Sequence, residues 1–199
     1  MIAIVDYGAG NLRSVKKAFD FLGVESKIIR YPAELVNVNR VVLPGVGAFG
    51  AAVNRLRSSG FWPLLTEFIR QDRPFLGICL GMQLLLQGSE ESPGVKGLAV
   101  FEGINRRFAA GKVPQIGWNQ IRMKRESPLL AGIAGDAFFY FIHGYYIVPQ
   151  DTAIVVAETD YYLTYGSIIQ RGNLFAVQFH PEKSGDTGLQ LLRNWVEKC

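Results

Sequence analysis

The chain has 199 residues, of which 49% are hydrophobic and 19% charged, with 22 Gly, 9 Pro, 2 Cys and 2 His. A chain of this length can bury a full core without disulfides or a structural metal, and its composition is not that of a disordered protein. Two cysteines and two histidines provide no zinc-finger spacing. We therefore expect a single domain over residues 1–199, with no metal and no other cofactor.

The net charge and the apolar runs narrow the class of protein further. Lys and Arg number 21 and Asp and Glu 17, so the formal net charge is +4. The basic residues form no long tract interleaved with aromatic residues, which favours a solvated surface over a nucleic-acid site. The apolar stretch 75–86 is too short to cross a bilayer, and the first ten residues lack the basic region of a signal peptide. The sequence predicts a cytoplasmic protein that binds neither nucleic acid nor a membrane.

Short β-branched runs alternate with helical patterns in the first half of the chain. The predicted strands are 2–5, 24–29, 41–43 and 75–78, and the predicted helices are 12–22, 49–70 with a break at 60–63, and 80–87. Asn11 is expected to cap the first helix, Pro44-Gly45 to stop the third strand, and Gly88 to end the last helix. This alternation is typical of a parallel sheet covered by helices on both faces.

The second half is dominated by strands. They are predicted at 117–121, 138–142, 153–157, 165–169 and 174–179, with a closing helix at 188–198. The predicted fold class is α/β, with an open, mostly parallel sheet flanked by helices and extended by antiparallel strands in the C-terminal half. Ligands of such sheets bind beyond the carboxyl ends of the parallel strands, so chemistry is expected after Leu43 and Ile78.

Cys79 lies at a predicted strand-to-helix junction in the sequence Gly77-Ile78-Cys79-Leu80-Gly81. Small residues on both sides permit the strained turn that lifts a nucleophile out of a sheet. The N-terminus of a helix stabilises negative charge on the sulfur, and the Leu80 N–H can face an oxyanion that forms beside it. The alternative is an inert, buried cysteine between two packing glycines.

His180-Pro181-Glu182 also follows a predicted strand. Because the residue before a proline is biased toward extended geometry, residues 180 and 182 can project from the same face. Glu182 can then orient the His180 ring and leave its other nitrogen free to exchange a proton with a thiol.

Two glycine-containing loops follow other predicted strands. Pro44-Gly45-Val46-Gly47 allows backbone N–H groups to approach an anion, although a plain turn would have the same composition. Gly8-Ala9-Gly10 begins like a dinucleotide-binding loop, but Arg13 occupies the third glycine position, so that interpretation is rejected.

Together these motifs resemble the triad-type (class I) glutamine amidotransferases, which have a flavodoxin-like α/β fold. The resemblance rests on residues 44–47, the elbow 77–83 and the terminal His-Pro-Glu, and it covers nearly the whole chain in order. Three further segments resemble the glutaminase subunits of imidazole glycerol phosphate synthases. They are Asp6-Tyr7-Gly8-Ala9-Gly10-Asn11, Pro114-Gln115-Ile116-Gly117-Trp118-Asn119 and His143-Gly144-Tyr145-Tyr146.

The resemblance implies a glutaminase that works through a Cys79 thioester, with His180 and Glu182 completing the triad. The oxyanion would be held by the backbone of Leu80, Val46 and Gly47. The residues implied in substrate binding are Gly45, Gln83, Gly144 and Tyr145. Many relatives have a small hydroxyl residue where this chain has Gly144; a backbone contact survives that difference, but a side-chain contact does not.

A glutaminase uses the whole of this chain, so we expect the ammonia acceptor to lie on another chain. The resemblance implies a (β/α)₈-barrel cyclase subunit as partner, forming a heterodimer that makes imidazole glycerol phosphate and an aminoimidazole carboxamide ribonucleotide in histidine biosynthesis. The residues expected near that interface are Asn11, Pro114, Trp118 and Lys183. Core packing is the alternative role for Trp118.

Three other functions compete with this one. The chain could be the glutaminase of a pyridoxal phosphate, anthranilate or guanylate synthase, an autonomous cysteine hydrolase of γ-glutamyl bonds, or a silent binding subunit. The segments 114–119 and 143–146 argue against the first alternative, and the complete triad argues against the last.

Overall fold

An eight-stranded sheet runs through the centre of the protein, as seen in a computed structural model that describes residues 1–8 and 10–199. The helices are α1 (Leu12–Phe21), α2 (Phe49–Ser58), α3 (Phe61–Arg70), the single turn α4 (Leu80–Gln83) and α5 (Gly185–Lys198). The strands are β1 (Ile2–Val5), β2 (Ser26–Ile29), β3 (Arg40–Gly45), β4 (Phe75–Cys79), β5 (Leu86–Ser89), β6 (Phe101–Arg107), β7 (Gln115–Gln120), β8 (Arg122–Met123), β9 (Phe138–His143), β10 (Tyr145–Pro149), β11 (Val155–Asp160), β12 (Thr164–Arg171) and β13 (Leu174–Val177).

The large sheet has the strand order β2-β1-β3-β4-β13-β12-β11-β8. Its first five strands are parallel, and the last three continue it in antiparallel pairing. This arrangement confirms the predicted fold class. Two smaller sheets, β10-β6-β5 and the ribbon β7-β9, lie beside it.

Alternating residues of the central strands supply two hydrophobic cores. Ala3 and Val5 of β1 join the core beneath α2 and α3, whereas Ile2 and Ile4 join the core beneath α1 and α5. Every residue of β1, β4 and β13 is buried. Strands covered on both faces have continuous apolar sequences, which is why these segments were readable as strands.

The predicted helix at 80–87 is wrong beyond its first turn. Leu84, Leu85 and Leu86 are fully buried, and their carbonyl oxygens accept hydrogen bonds from the segment 98–101. The chain therefore leaves the helix and becomes β5, which pairs with β6 in parallel. Gly88 consequently lies inside a strand and does not end a helix.

Two other boundaries differ from expectation at prolines. Pro44 and Gly45 belong to β3, because pairing with β1 ends at Val42 while pairing with β4 continues to Gly45. A proline is tolerated there since the strand has a neighbour on one side only. Pro63 lies in the first turn of α3, where its missing N–H costs little, so the helix break is confined to Ser59-Gly60.

Candidate active site

Four neighbouring parallel strands end at the same edge of the sheet. In spatial order they are β1, β3, β4 and β13, and Gly45 at the end of β3 pairs with Cys79 at the end of β4. The segments that follow them carry Asn11, Val46-Gly47, Leu80 and His180. The edge predicted from the parallel topology is therefore where the motif residues meet.

Cys79 has φ 53° and ψ −109°, in the positive-φ region that non-glycine residues rarely adopt. Its neighbours make this turn possible. A Cβ on Gly81 would overlap the carbonyl oxygen of Leu43, and a Cβ on Gly77 would lie 3.0 Å from the backbone of Gly81. The two glycines are thus required by close backbone contact. Because α4 has a single turn, its dipole is weaker than the predicted two-turn helix would provide.

The Cys79 side chain is almost completely enclosed. The residue is 5% exposed, its Sγ lies 3.8 Å from the carbonyl oxygen of Ile142, and the Gln178 amide nitrogen donates to the Sγ at 3.7 Å. Gln178 was missed in the sequence analysis. A polar residue within the apolar run 174–179 was the available signal.

The His180 ring and the Glu182 carboxylate form a buried pair. His180 Nδ1 lies 2.7 Å from Glu182 Oε1, and the side chains are 1% and 0% exposed. The backbone N–H of His180 donates to the Tyr140 carbonyl oxygen at 2.9 Å, and this bond attaches the pair to β9. Among the described residues, His180 Nε2 has no partner that meets hydrogen-bonding geometry.

The pKa of His180 reflects opposing influences. Burial alone would lower this pKa, but the sulfur of Cys79 and the carboxylate of Glu182 outweigh burial and raise the pKa to about 10. The ring is therefore an imidazolium at neutral pH and holds a proton near the sulfur. A buried cation of this kind is stable only because negative charge lies beside it.

A cavity of about 400 Å³ opens onto Cys79. Its wall includes eight of the residues singled out from the sequence, namely Val46, Gly47, Cys79, Leu80, Gln83, Pro114, Gly144 and Tyr145. Gly45 lies behind the wall, packed so closely against the Tyr7 hydroxyl that a Cβ there would overlap it. His180 and Glu182 lie outside the wall, in the interior.

The second histidine holds one wall of the cavity. The carbonyl oxygen of Tyr145 lies 2.8 Å from His143 Nδ1 and accepts from Gln83 Nε2 at 2.9 Å. Burial and, to a smaller extent, nearby His180 lower the pKa of His143 to about 4, against the opposing effect of its bond to Tyr145. A neutral ring that donates through Nδ1 thus fixes the 144–145 backbone.

Two charged residues of the cavity wall, Glu91 and Arg107, were not found by sequence reasoning. Glu91 Oε2 accepts from the N–H of Phe49 at the start of α2, at 2.6 Å. No local motif marks either residue, because β6 and the turn after β5 are brought here by long-range pairing.

An exposed apolar face lies on the ribbon β7-β9. It consists of Ile116, Trp118, Phe138, Tyr140 and Ile142, and we call it the ribbon face. Trp118 is 57% exposed, so the core-packing alternative is wrong. Lys183 Nζ lies 5.9 Å from the centre of the Tyr140 ring. Pro114, at the near end of the ribbon, belongs to the cavity wall.

Asn11 does not act as the helix cap that was expected. It occupies the N-cap position of α1 with φ 74°, but its side chain makes no capping bond within the described chain. Instead, its amide nitrogen donates to Glu182 Oε1 and lies 3.4 Å from His180 Nδ1. Ala9, in the same predicted motif, lies outside the described residues.

Residues 3–199 match the family Glutamine amidotransferase class-I. The imidazole glycerol phosphate synthase subunit HisH of Chlorobium luteolum is 49% identical, with alignment over 99% of this chain and 100% of the relative. HisH of Methanothermobacter thermautotrophicus is also 49% identical, over 99% of this chain and 98% of the relative. The chain belongs to the class-I glutamine amidotransferases, in the HisH family.

Solved structures agree on the fold. A crystal structure of a glutamine amidotransferase superposes with a TM-score of 0.78 at 21% identity, covering 98% of this chain and 97% of the other. PurLQS from Thermotoga maritima gives 0.75 at 17% identity, covering 98% and 96%. Across the described residues, no helix is long and apolar enough to cross a membrane.

Proposed function

We propose that this HisH-family chain hydrolyses L-glutamine to L-glutamate and ammonia and passes the ammonia to a cyclase subunit. One observation carries the proposal: Cys79, on a strained turn, faces a cavity of about 400 Å³ while the His180–Glu182 pair lies in the interior beside it. The family membership and the names of the relatives support the same reaction.

In the first half-reaction, Cys79 attacks the side-chain amide carbon of glutamine as a thiolate, because its proton is held by His180. The negative charge that develops on the amide oxygen is held by the Leu80 N–H and by the backbone of Val46 and Gly47, which share the cavity wall with Cys79. The imidazolium of His180 gives its proton to the leaving nitrogen. The C–N bond then breaks, ammonia leaves, and a γ-glutamyl thioester remains.

In the second half-reaction, water replaces ammonia. Neutral His180 takes a proton from the water while the water oxygen attacks the thioester carbon. The C–S bond then breaks, and glutamate leaves. Glu182 keeps the same imidazole nitrogen bonded throughout and stabilises the charged ring. The enzyme returns to its starting protonation state.

The substrate's amino-acid end is proposed to lie between Gln83 and the 144–145 backbone, with Gly45 supporting the opposite loop. Glu91 and Arg107 add opposite charges to the same wall, as a zwitterionic ligand requires. Gly144 offers only its backbone. A Cβ at position 144 would make an ordinary contact, 3.4 Å from Val113.

We propose the ribbon face as the site of the (β/α)₈-barrel cyclase subunit, with Trp118, Lys183, Pro114 and Asn11 in or beside the interface. An exposed apolar face next to a cavity entrance fits a partner that receives ammonia, and aromatic anchors with a basic neighbour are typical of interface centres. The products would be imidazole glycerol phosphate and the aminoimidazole carboxamide ribonucleotide of histidine biosynthesis.

The chain is proposed to act as a single domain, since both cores pack on one sheet. A cytoplasmic location is proposed because the mechanism needs a reduced Cys79.

A glutaminase assay of the purified chain, with and without the cyclase subunit and its ribonucleotide substrate, tests the proposal. We expect glutamate release to rise strongly with the partner, and Cys79→Ala to lose roughly 10³-fold or more while it still binds the partner. Full activity without a partner would favour an autonomous hydrolase, activation by another synthase subunit would favour that synthase, and activity retained in Cys79→Ala would overturn the mechanism.

A further inference from the structure

The side chain of Asn11 has a position that neither capping nor surface solvation explains. It is half-buried, and its amide nitrogen approaches two atoms of the buried pair, Glu182 Oε1 and His180 Nδ1. The residue also has φ 74°, a conformation that asparagine tolerates better than most residues. The chain thus uses an unusual backbone conformation at the start of α1 to direct an amide inward.

Glu182 has few groups to hold it. Its side chain is completely buried, and His180 Nδ1 and Asn11 Nδ2 both bind the same oxygen, Oε1. Among the described residues, Oε2 has no hydrogen-bond partner. Because Nδ1 of the imidazolium is itself a donor, the 3.4 Å separation of the two nitrogens reflects two donors converging on one acceptor.

We propose that Asn11 is a positioning residue of the catalytic triad, which acts through Glu182. The amide fixes the carboxylate so that Oε1 stays on His180 Nδ1, and the ring then keeps Nε2 directed toward Cys79. Without the amide, the carboxylate keeps one directed bond and can rotate within its buried site. This inference rests on the proposed function, because the triad must be catalytic for its orientation to matter.

The proposal predicts an effect on chemistry rather than on substrate binding. His180 transfers a proton in both half-reactions, so a misdirected ring slows both of them and lowers kcat. Asn11 is not one of the described residues that line the cavity. Its substitution should therefore change KM for glutamine little. Groups that orient a metal-bound histidine typically contribute about 10–100-fold, and we expect an effect on the same scale for this catalytic histidine.

Three substitutions distinguish the effect of the Asn11 amide from the effect of its backbone conformation. Asn11→Gly removes the amide and keeps the positive φ accessible, Asn11→Ala removes the amide and adds backbone strain, and Asn11→Asp replaces the donor with a carboxylate facing Oε1. Arg13→Ala, at an exposed position of the same helix, is the control. Each variant is assayed with saturating cyclase subunit, and its affinity for that subunit and its Tm are measured separately.

We expect Asn11→Gly to lower kcat by about 10-fold or more with KM within about twofold, and Asn11→Asp to lower kcat further because like charges repel. A double-mutant cycle with Glu182→Gln gives the decisive readout. If Asn11 acts through Glu182, adding Asn11→Gly to Glu182→Gln should cost almost nothing more. A purely structural asparagine would give additive losses.

Wild-type kcat in Asn11→Gly, a loss in Asn11→Ala alone, or additive losses in the cycle would each overturn the proposal. A wild-type chain without glutaminase activity beside its partner would instead overturn the proposed function, so the two failures are distinguishable.

Discussion

The parallel strands of the large sheet (the parallel part) and the antiparallel strands of the protein (the antiparallel part) use their backbones differently. In the parallel part, β1, β4 and β13 are buried on both faces, and reactive groups emerge only where strands end. In the antiparallel part, the ribbon β7-β9 buries one face and exposes the other. The parallel part thus holds the proposed catalytic residues through close backbone packing, and the antiparallel part supplies the cavity's second wall and the ribbon face.

This difference implies different tolerance to mutation. At the parallel edge, an added methyl group meets backbone, which cannot move cheaply. In the antiparallel part, the exposed side chains of the ribbon face can be removed without opening the core. The four predictions below test this contrast, from the largest expected effect to the smallest.

Gly81→Ala should destabilise the protein by about 3 kcal/mol or more, because its Cβ would overlap the Leu43 carbonyl oxygen. Urea unfolding measures the loss. Gly88→Ala is the matched control: its Cβ would lie 3.6 Å from the Val95 carbonyl oxygen, so we expect a change within about 1 kcal/mol. Equal effects of the two substitutions would show that contact with the Leu43 carbonyl oxygen is not what restricts position 81.

Trp118→Ala should weaken binding of the cyclase subunit by roughly 100-fold, about 2.7 kcal/mol, if the ribbon face is the interface. The Tm should barely change, since the ring is 57% exposed and its aromatic neighbour is Tyr140. Titration calorimetry gives the affinity. Phe21→Ala, 76% exposed on α1, is the control and should bind normally; similar losses in both variants would locate the interface elsewhere.

His143 should make the protein less stable in acid. Its folded pKa of about 4 lies below its usual value of 6.5, so its contribution is fully present above pH 6.5 and is lost as the pH falls toward 4. Between pH 7 and pH 5 this loss is about 2 kcal/mol. His143→Asn should therefore show a correspondingly smaller drop in the free energy of unfolding between these pH values.

The opposite sign holds for His180, whose raised pKa gives stability below pH 6.5 that is lost as the pH rises through about 10. Because His180 is unchanged in His143→Asn, the difference between the two proteins isolates His143. An identical pH dependence in both would show that folding does not lower the pKa of His143.

Gly144→Ser should have the smallest effect. The Cβ would meet Val113 Cγ1 at 3.4 Å, an ordinary contact, and Gly144 has no positive φ to lose. We expect kcat and KM for glutamine within a few-fold of the original values in a steady-state assay. A tenfold rise in KM would mean that the wall has no room beside the bound substrate.

The parallel part was predictable because its signals are local. Local sequence predicts the strands β1 and β4 from their apolar runs, the helices from their amphipathic pattern, and the turn at Cys79 from its flanking glycines. Every predicted helix or strand that forms has its ends within three residues of expectation, apart from the helix at 80–87. Parallel topology then brings the strand ends together without further information.

The features that the local sequence does not predict depend on contacts between residues that are distant in the chain. The helical periodicity of 80–87 is overridden because the carbonyl groups of Leu84–Leu86 are claimed by residues 98–101. The sequence near Asn11 predicts a cap, and only the fold brings Glu182, 171 residues away, within reach of the amide. Trp118 is buried or exposed depending on the face of the ribbon that packs inward. The local sequence pattern does not determine that face.

The strand β9 connects the ribbon face to the reacting groups through its backbone. The Tyr140 carbonyl oxygen accepts from the backbone N–H of His180, and the Ile142 carbonyl oxygen lies 3.8 Å from Cys79 Sγ, while the side chains of the same two residues belong to the ribbon face. An inserted residue would exchange the inward and outward side chains and displace both carbonyl groups by about 3.3 Å. In evolution, the ribbon face is therefore free to change by substitution but not by length, since only a change in length displaces the backbone beside Cys79 and His180.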